Sequence, residues 1–180
     1  MRSLVRETRL HVDDFILPLF VEEGIDRPVA IDSMPGVVRH TEESLPAAVQ
    51  RAWSAGAKAV ILFGVSHHKD GEGADTWSSR GLMARIIAIA KSAQPAMVVI
   101  SDNCFCEYTD HGHCGVVASG DVDNDATLAN LARQAVVAAE AGVDMIAPSG
   151  MMDGTVGVLR EALDSAGFPH IPIMSYSTKF

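Results

Sequence analysis

The feature that most constrains this chain is an alternation of short apolar runs with amphipathic stretches, kept in the same order along its length. Residues 15–21, 59–64, 97–100, 143–147 and 171–176 read as strands, and 41–55, 82–93, 125–141 and 153–166 as helices. The second run, through Val60, Ile61, Leu62 and Phe63, is almost wholly apolar, as expected of a strand covered on both faces. In the second helix Leu82, Ile86, Ile89 and Ala93 share a stripe, and Pro95 ends it. Thr41 is the predicted N-cap of the first helix, with Glu42 and Glu43 in its first turn, and Asp125 caps the third. Gly56, Gly142 and Gly167 stop three of the helices. Pro18 demands a place in the first strand where no ladder N–H is needed.

Strands joined by single short helices imply parallel pairing with right-handed crossovers. An open doubly wound sheet and a (β/α)8 barrel both satisfy that rule. No strand is followed by a Gly-x-Gly-x-x-Gly turn, which argues against a dinucleotide fold. Polar residues instead cluster just after the strands, at 64–69, 102–114, 149–153 and 175–179, where barrel enzymes carry their chemistry. The expected fold class is α/β, a parallel (β/α)8 (TIM) barrel, of which five strands and four helices are supplied here. Residues 1–180 form one expected domain, with 1–14 as an N-terminal arm remnant and 102–125 as a binding loop.

Charge and hydropathy narrow the partners. With a net charge of −9 and no basic run, the chain lacks the electrostatic footprint of a nucleic-acid or anionic-membrane binder. Its apolar runs are far shorter than a membrane span, and the first residues do not continue into the apolar core of a signal peptide. A cytoplasmic protein is expected.

All three cysteines lie within the loop Asp102-Asn103-Cys104-Phe105-Cys106-Glu107-Tyr108-Thr109-Asp110-His111-Gly112-His113-Cys114-Gly115. An odd, clustered set does not read as a disulfide framework. Three thiolates can converge on one Zn2+, Cys-x-Cys placing two on one side and the glycines returning the chain to deliver the third. Three readings are open: cysteines buried in a core, a closed structural site completed by His111 or His113, and an open site whose fourth position takes water or substrate. Lys179, just past the last strand, is either a solvated lysine or a partly desolvated amine able to form a Schiff base. His67 and His68 read as a solvated loop, and Trp53 and Trp77 as packing residues.

The cysteine loop resembles the zinc loop of the porphobilinogen synthase family, also called 5-aminolevulinate dehydratase. The likeness extends through Leu4-Val5-Arg6-Glu7-Thr8, Ser33-Met34-Pro35-Gly36-Val37, Leu62-Phe63-Gly64-Val65, Val122-Asp123-Asn124-Asp125, Ala147-Pro148-Ser149, Met151-Met152-Asp153-Gly154 and Ile173-Met174-Ser175-Tyr176-Ser177-Thr178-Lys179-Phe180, in order and at family-like spacing. The resemblance implies a TIM-barrel lyase that condenses two 5-aminolevulinate molecules to porphobilinogen, with loss of two waters, in heme and tetrapyrrole biosynthesis. It implies Zn2+ on Cys104, Cys106 and Cys114 as a Lewis acid and Lys179 as the imine-forming lysine. Asp102 would orient an amine or move a proton, Ser149 and Tyr176 would contact substrate, and His113 would stand beside the metal without binding it. Magnesium is expected elsewhere in full-length members, not from this chain.

Family members assemble as homo-oligomers, commonly octamers, held partly by an N-terminal arm that is shortened here. They also continue well beyond the position of Phe180. The chain is therefore expected to be a truncated piece, weakly active or inactive alone, with exposed sheet edges that favour self-association. The rival reading is a non-catalytic zinc-binding half-barrel that works by association with another chain. A Schiff-base aldolase would use Lys179 but leave the cysteines unexplained.

Overall fold

A computed structural model describes residues 1–177. Its main sheet contains β1 (Ile16–Glu22), β2 (Val29–Ala30), β3 (Val38–His40), β4 (Ala59–Val65), β5 (Val98–Asn103) and β8 (Met145–Pro148), in the order β2-β3-β1-β4-β5-β8. All neighbours pair in parallel except β2 with β3. Helices α1 (Leu45–Ser54), α2 (Leu82–Ala93), α3 (Asn124–Glu140) and α4 (Thr155–Ser165) connect or follow the strands, and β6 (Val117–Ala118) and β7 (Asp121–Val122) form a small separate hairpin.

Side-chain alternation along the strands separates two cores. Leu19, Val21, Val60, Leu62, Val99 and Ile146 point to one face and pack with the buried residues of all four helices. Ile61, Ile100 and Ala147 point to the other, where Ala59, Phe63, Met145 and Met174 join them and no helix contributes. A doubly wound sheet would carry helices on both faces. Helices confined to one face, with strand residues layered on the other, are instead the arrangement of a barrel wall.

Several sequence-based expectations require correction. The run 171–176 is not a full strand: it meets β8 through one bridge, Ile173 with Ile146, flanked by Ile146 N donating to Pro172 O at 3.1 Å and Met174 N to Ile146 O at 2.8 Å. Pro172 removes one donor from that ladder. Asp123, not Asp125, caps α3, its carboxylate accepting from Ala126 N at 2.9 Å. Helix α1 begins after Ser44, not Thr41; the two residues instead exchange backbone-to-hydroxyl bonds of 3.0 and 2.9 Å, closing a turn ahead of the helix. Pro18 sits in the part of β1 that β3 does not reach, as its missing donor requires. Trp53 and Trp77 pack against the main core. None of residues 1–14 is buried.

Two ion-pair networks tie elements together. At the carboxyl end of β1, Glu22 meets Arg39 at 2.8 Å and His67 at 3.1 Å, while Arg85 bridges Glu23 at 2.7 Å and Glu42 at 2.9 Å. His67 and His68 are exposed, but each is held near a carboxylate. Burial would raise the Glu23 pKa, yet hydrogen bonds from Arg85 and the His67 amide, with the charges of His68 and Arg85, outweigh it and hold Glu23 below its ordinary value. At the opposite end Lys91 meets Asp144 at 2.8 Å, and the same carboxylate oxygen accepts from Val99 N at 2.8 Å.

Candidate metal centre

The cysteine loop leaves the carboxyl end of β5. Within that strand Asp102 shares the helix-free face with Ile100, whereas Ser101 and Asn103 share the helix-covered face with Val99. Cys104 follows at once and is buried, with 6% of its surface exposed. Phe105, fully buried, anchors the next turn edge-on to Trp77, and its carbonyl accepts from Tyr108 N at 2.8 Å and Thr109 N at 2.9 Å. Thr109 Oγ1 donates to His113 O at 2.8 Å, folding the return limb back. Gly112 takes φ +74°, a conformation that L side chains rarely adopt. A β-carbon on Gly115 would fall 2.5 Å from Thr127 Oγ1, so this close approach admits only glycine.

These turns bring Cys104, Cys106 and Cys114 together. Their three sulfurs all lie within 4.8 Å of one another, with Cys104 at 3.5 Å from Cys106 and 3.1 Å from Cys114. Zn–S bonds of 2.3 Å in a tetrahedron set sulfurs about 3.8 Å apart. The two short separations therefore need to widen by about 0.3 Å for Cys104–Cys106 and about 0.7 Å for Cys104–Cys114 to receive such an ion. Hydrogen bonding to Cys104 and Cys114, burial, and the charge of the neighbouring sulfurs push the Cys106 thiol far above its ordinary range. Thiolates so crowded are stabilised by a cation, and binding one releases protons.

No histidine or carboxylate joins that group among the described residues. His111 is engaged elsewhere, Nδ1 accepting from His113 N at 3.1 Å and Nε2 donating to Gly71 O at 3.1 Å. His113 is exposed, its ring 5.4 Å from that of His111. The donor set thus offers three sulfurs and leaves a fourth direction for another ligand.

Neighbouring strands bring further polar groups alongside. Asp102 stands opposite Ala147 of β8, and Ser149, just past that strand, donates its backbone N–H to Asn103 O at 3.3 Å. Tyr176 N reaches Pro148 O at 3.3 Å. Partial burial, then the charges of Asp102 and Cys104, raise the Tyr176 pKa. Asp102, Cys104, Ser149 and Tyr176 are thus gathered at one mouth. Beside it, Gly150, Met152, Gly154, Ser175 and Tyr176 help to line a cavity of about 340 Å³. Lys179 lies outside the described residues.

A buried polar chain escaped the sequence reading. Ser101 Oγ donates to Asn103 Oδ1 at 2.9 Å, Asn103 Nδ2 to Gln134 Oε1 at 3.0 Å, and Gln134 Nε2 to Cys104 O at 3.2 Å. Its signal was present in α3, where Thr127, Asn130 and Gln134 interrupt the stripe of Leu131, Ala135 and Ala138 that faces the core. Polar residues at core positions announce buried hydrogen bonds.

Fold and site together define part of a parallel α/β barrel with a loop of three thiols, able to hold a metal ion, at the carboxyl end of its strands. The family model described as Delta-aminolevulinic acid dehydratase matches residues 1–180. Delta-aminolevulinic acid dehydratase of Escherichia coli is 54% identical over 180 residues, covering 100% of this chain and 56% of that protein. The enzyme of that name from Ruminiclostridium josui is 45% identical, covering 100% of this chain and 88% of that protein. A crystal structure of delta-aminolevulinic acid dehydratase (porphobilinogen synthase) from Toxoplasma gondii, in complex with the reaction product porphobilinogen, superposes with a TM-score of 0.95 at 38% identity, over 99% of this chain and 52% of that one. The chain belongs to the delta-aminolevulinic acid dehydratase family, and its fold is part of a (β/α)8 barrel. It spans about half the length of the E. coli and T. gondii relatives.

Proposed function

We propose that this chain carries the metal-binding part of a porphobilinogen synthase active site, in a lyase that condenses two 5-aminolevulinate molecules with loss of two waters. The observation that carries the reading is the meeting of three thiols beside Asp102, Ser149 and Tyr176 at the carboxyl end of the strands. Cys104, Cys106 and Cys114 would hold Zn2+, the metal that thiolate-rich tetrahedral sites favour. When bound, that ion supplies Lewis acidity at its fourth position.

The remaining chemistry falls to the chain's own residues. Lys179 is assigned the amine that attacks a substrate ketone and expels water to form an imine, an electron sink for the adjacent carbon. Asp102, which lies on the helix-free face, would hold a substrate amine or take up its proton. Ser149 and Tyr176 orient substrate beside the thiols, and His113 stands near the metal loop without ligating. Residues 1–14 are read as an arm and 102–125 as the metal loop of a single domain. A cytoplasmic location and homo-oligomeric assembly belong to the same proposal.

Two measurements test it. Metal titration of the reduced protein should end at one Zn2+ per chain and fail when any of the three cysteines is replaced by serine. Borohydride reduction in the presence of 5-aminolevulinate should leave a covalent adduct on Lys179, identified by peptide mass mapping. Binding without the cysteines, or an adduct confined to another lysine, would overturn the proposal.

A further inference from the structure

Helix α3 touches the metal loop at both ends. At the outgoing limb Gln134, 2% exposed, donates from Nε2 to Cys104 O at 3.2 Å and accepts from Asn103 Nδ2 at 3.0 Å. At the returning limb Thr127, fully buried, accepts at Oγ1 from Val116 N at 3.0 Å, two residues past Cys114. Thr127 Oγ1 in turn donates to Asp123 O, and Asp123 N donates to Val116 O at 2.7 Å. The two helix positions are seven residues apart, two turns or about 10.5 Å along one face.

We propose that Gln134 and Thr127 are positioning residues for the metal loop, through which α3 sets the separation of Cys104 from Cys114. The proposal rests on the reading that the three thiols hold a metal ion. Cys104 takes part in both short sulfur–sulfur contacts, so a shift of its backbone alters two of the three separations together. The bonds that restrain it are buried and directional, and each end of the Gln134 amide is used. An apolar side chain of similar shape would fill the space but remove the bonds that Gln134 makes to the Cys104 carbonyl and the Asn103 amide. Both residues act through backbone groups of the loop, so their effect is on geometry rather than on donor chemistry. Partners that orient metal ligands in this indirect way commonly change metal affinity by 10- to 100-fold.

The test uses Q134M and T127V, each close to the native shape. Co2+ serves as the probe because its thiolate absorption reports sulfur geometry, with Zn2+ affinity measured by competition. Both variants, checked for cooperative unfolding, should bind Co2+ and Zn2+ about tenfold or more weakly, with a shifted or broadened Co2+–thiolate band. In the metal-free state alkylation should be faster than in the unaltered protein, at Cys104 in Q134M and at Cys114 in T127V, since each variant loosens the limb that carries that thiol. Should one variant fail to fold, the other is read alone. Unaltered affinity, band and alkylation rate, at Cys104 in Q134M or at Cys114 in T127V, in a folded variant overturn the proposal. Absence of any Co2+–thiolate band in the unaltered protein instead overturns the metal reading, and an unchanged alkylation rate would then refute the positioning role as well.

Discussion

The phenolic oxygen of Tyr108 occupies the space that a β-carbon on Gly64 would need. Tyr108 descends from the metal loop into the helix-covered core, so this contact locks the loop to the carboxyl end of β4. Burial, followed by the charges of Asp75 and Asp102, raises its pKa well above the ordinary value and keeps the phenol neutral.

Gly64→Ala should therefore destabilise the protein by about 1–3 kcal/mol, because the buried ring has nowhere to retreat. Tyr108→Phe removes an oxygen that has no hydrogen-bond partner among the described residues, and should cost little or stabilise. Combining the two should recover part of the loss, not all of it: the new β-carbon still lies 3.2 Å from Leu82 Cδ2. Urea denaturation of the four proteins checks this, and strictly additive losses would contradict it.

Metal removal provides a second expectation. A ligand that binds only the folded state stabilises it by about 2.7 kcal/mol at a hundredfold excess over Kd. Zn2+ should accordingly raise the thermal midpoint of the reduced protein, and a chelator should reverse the gain. Cys104→Ser should abolish the response while leaving the metal-free midpoint nearly unchanged. Scanning calorimetry with and without chelator gives the answer.

Asp144 holds two elements at once, meeting Lys91 of α2 at 2.8 Å and capping the Val99 amide of β5 at 2.8 Å. Asp144→Ala leaves both donors without that partner and should cost about 1–3 kcal/mol. Lys91→Met keeps the Val99 bond and should cost less. The order of the two, read from denaturant midpoints, is the quantity to check.

Acid should weaken the network around Arg85. Glu23 is held below its ordinary value of 4.5, so the folded state binds its proton less readily than the unfolded chain. Its contribution is therefore full above that value and is lost as pH falls through the lower folded pKa. Arg85→Met should abolish much of this acid sensitivity, and the stability gap between variant and parent should narrow as pH drops below 4.5. A gap that stays constant would mean that Glu23 is not the responsible group.

The sequence revealed the elements whose signals are periodic and long. Helix α2 was legible to the residue because Leu82, Ile86, Ile89 and Ala93 mark one stripe and Pro95 forbids continuation. The thiol cluster was legible because three cysteines in eleven residues leave few geometries. Strands β2 and β3 were not, being two and three residues long and too short to show a period. The β6–β7 hairpin turns on Ser119 and Gly120, both with positive φ, and the serine hides that signal. Asp123 and Asp125 are equally good caps in composition, and the choice between them is made by the Val116–Asp123 bond across the loop. Gln134 matters through a carbonyl thirty residues away, a relation that no local pattern encodes.

That relation bears on how this stretch of chain can change through descent. Thr127 and Gln134 meet the loop from one face of one helix, so inserting a single residue between them would swing one contact about 100° around the axis. Length is thus less free here than composition: side chains on the outer surface of α3 can drift, but the spacing from Thr127 to Gln134 must be inherited as a single cassette.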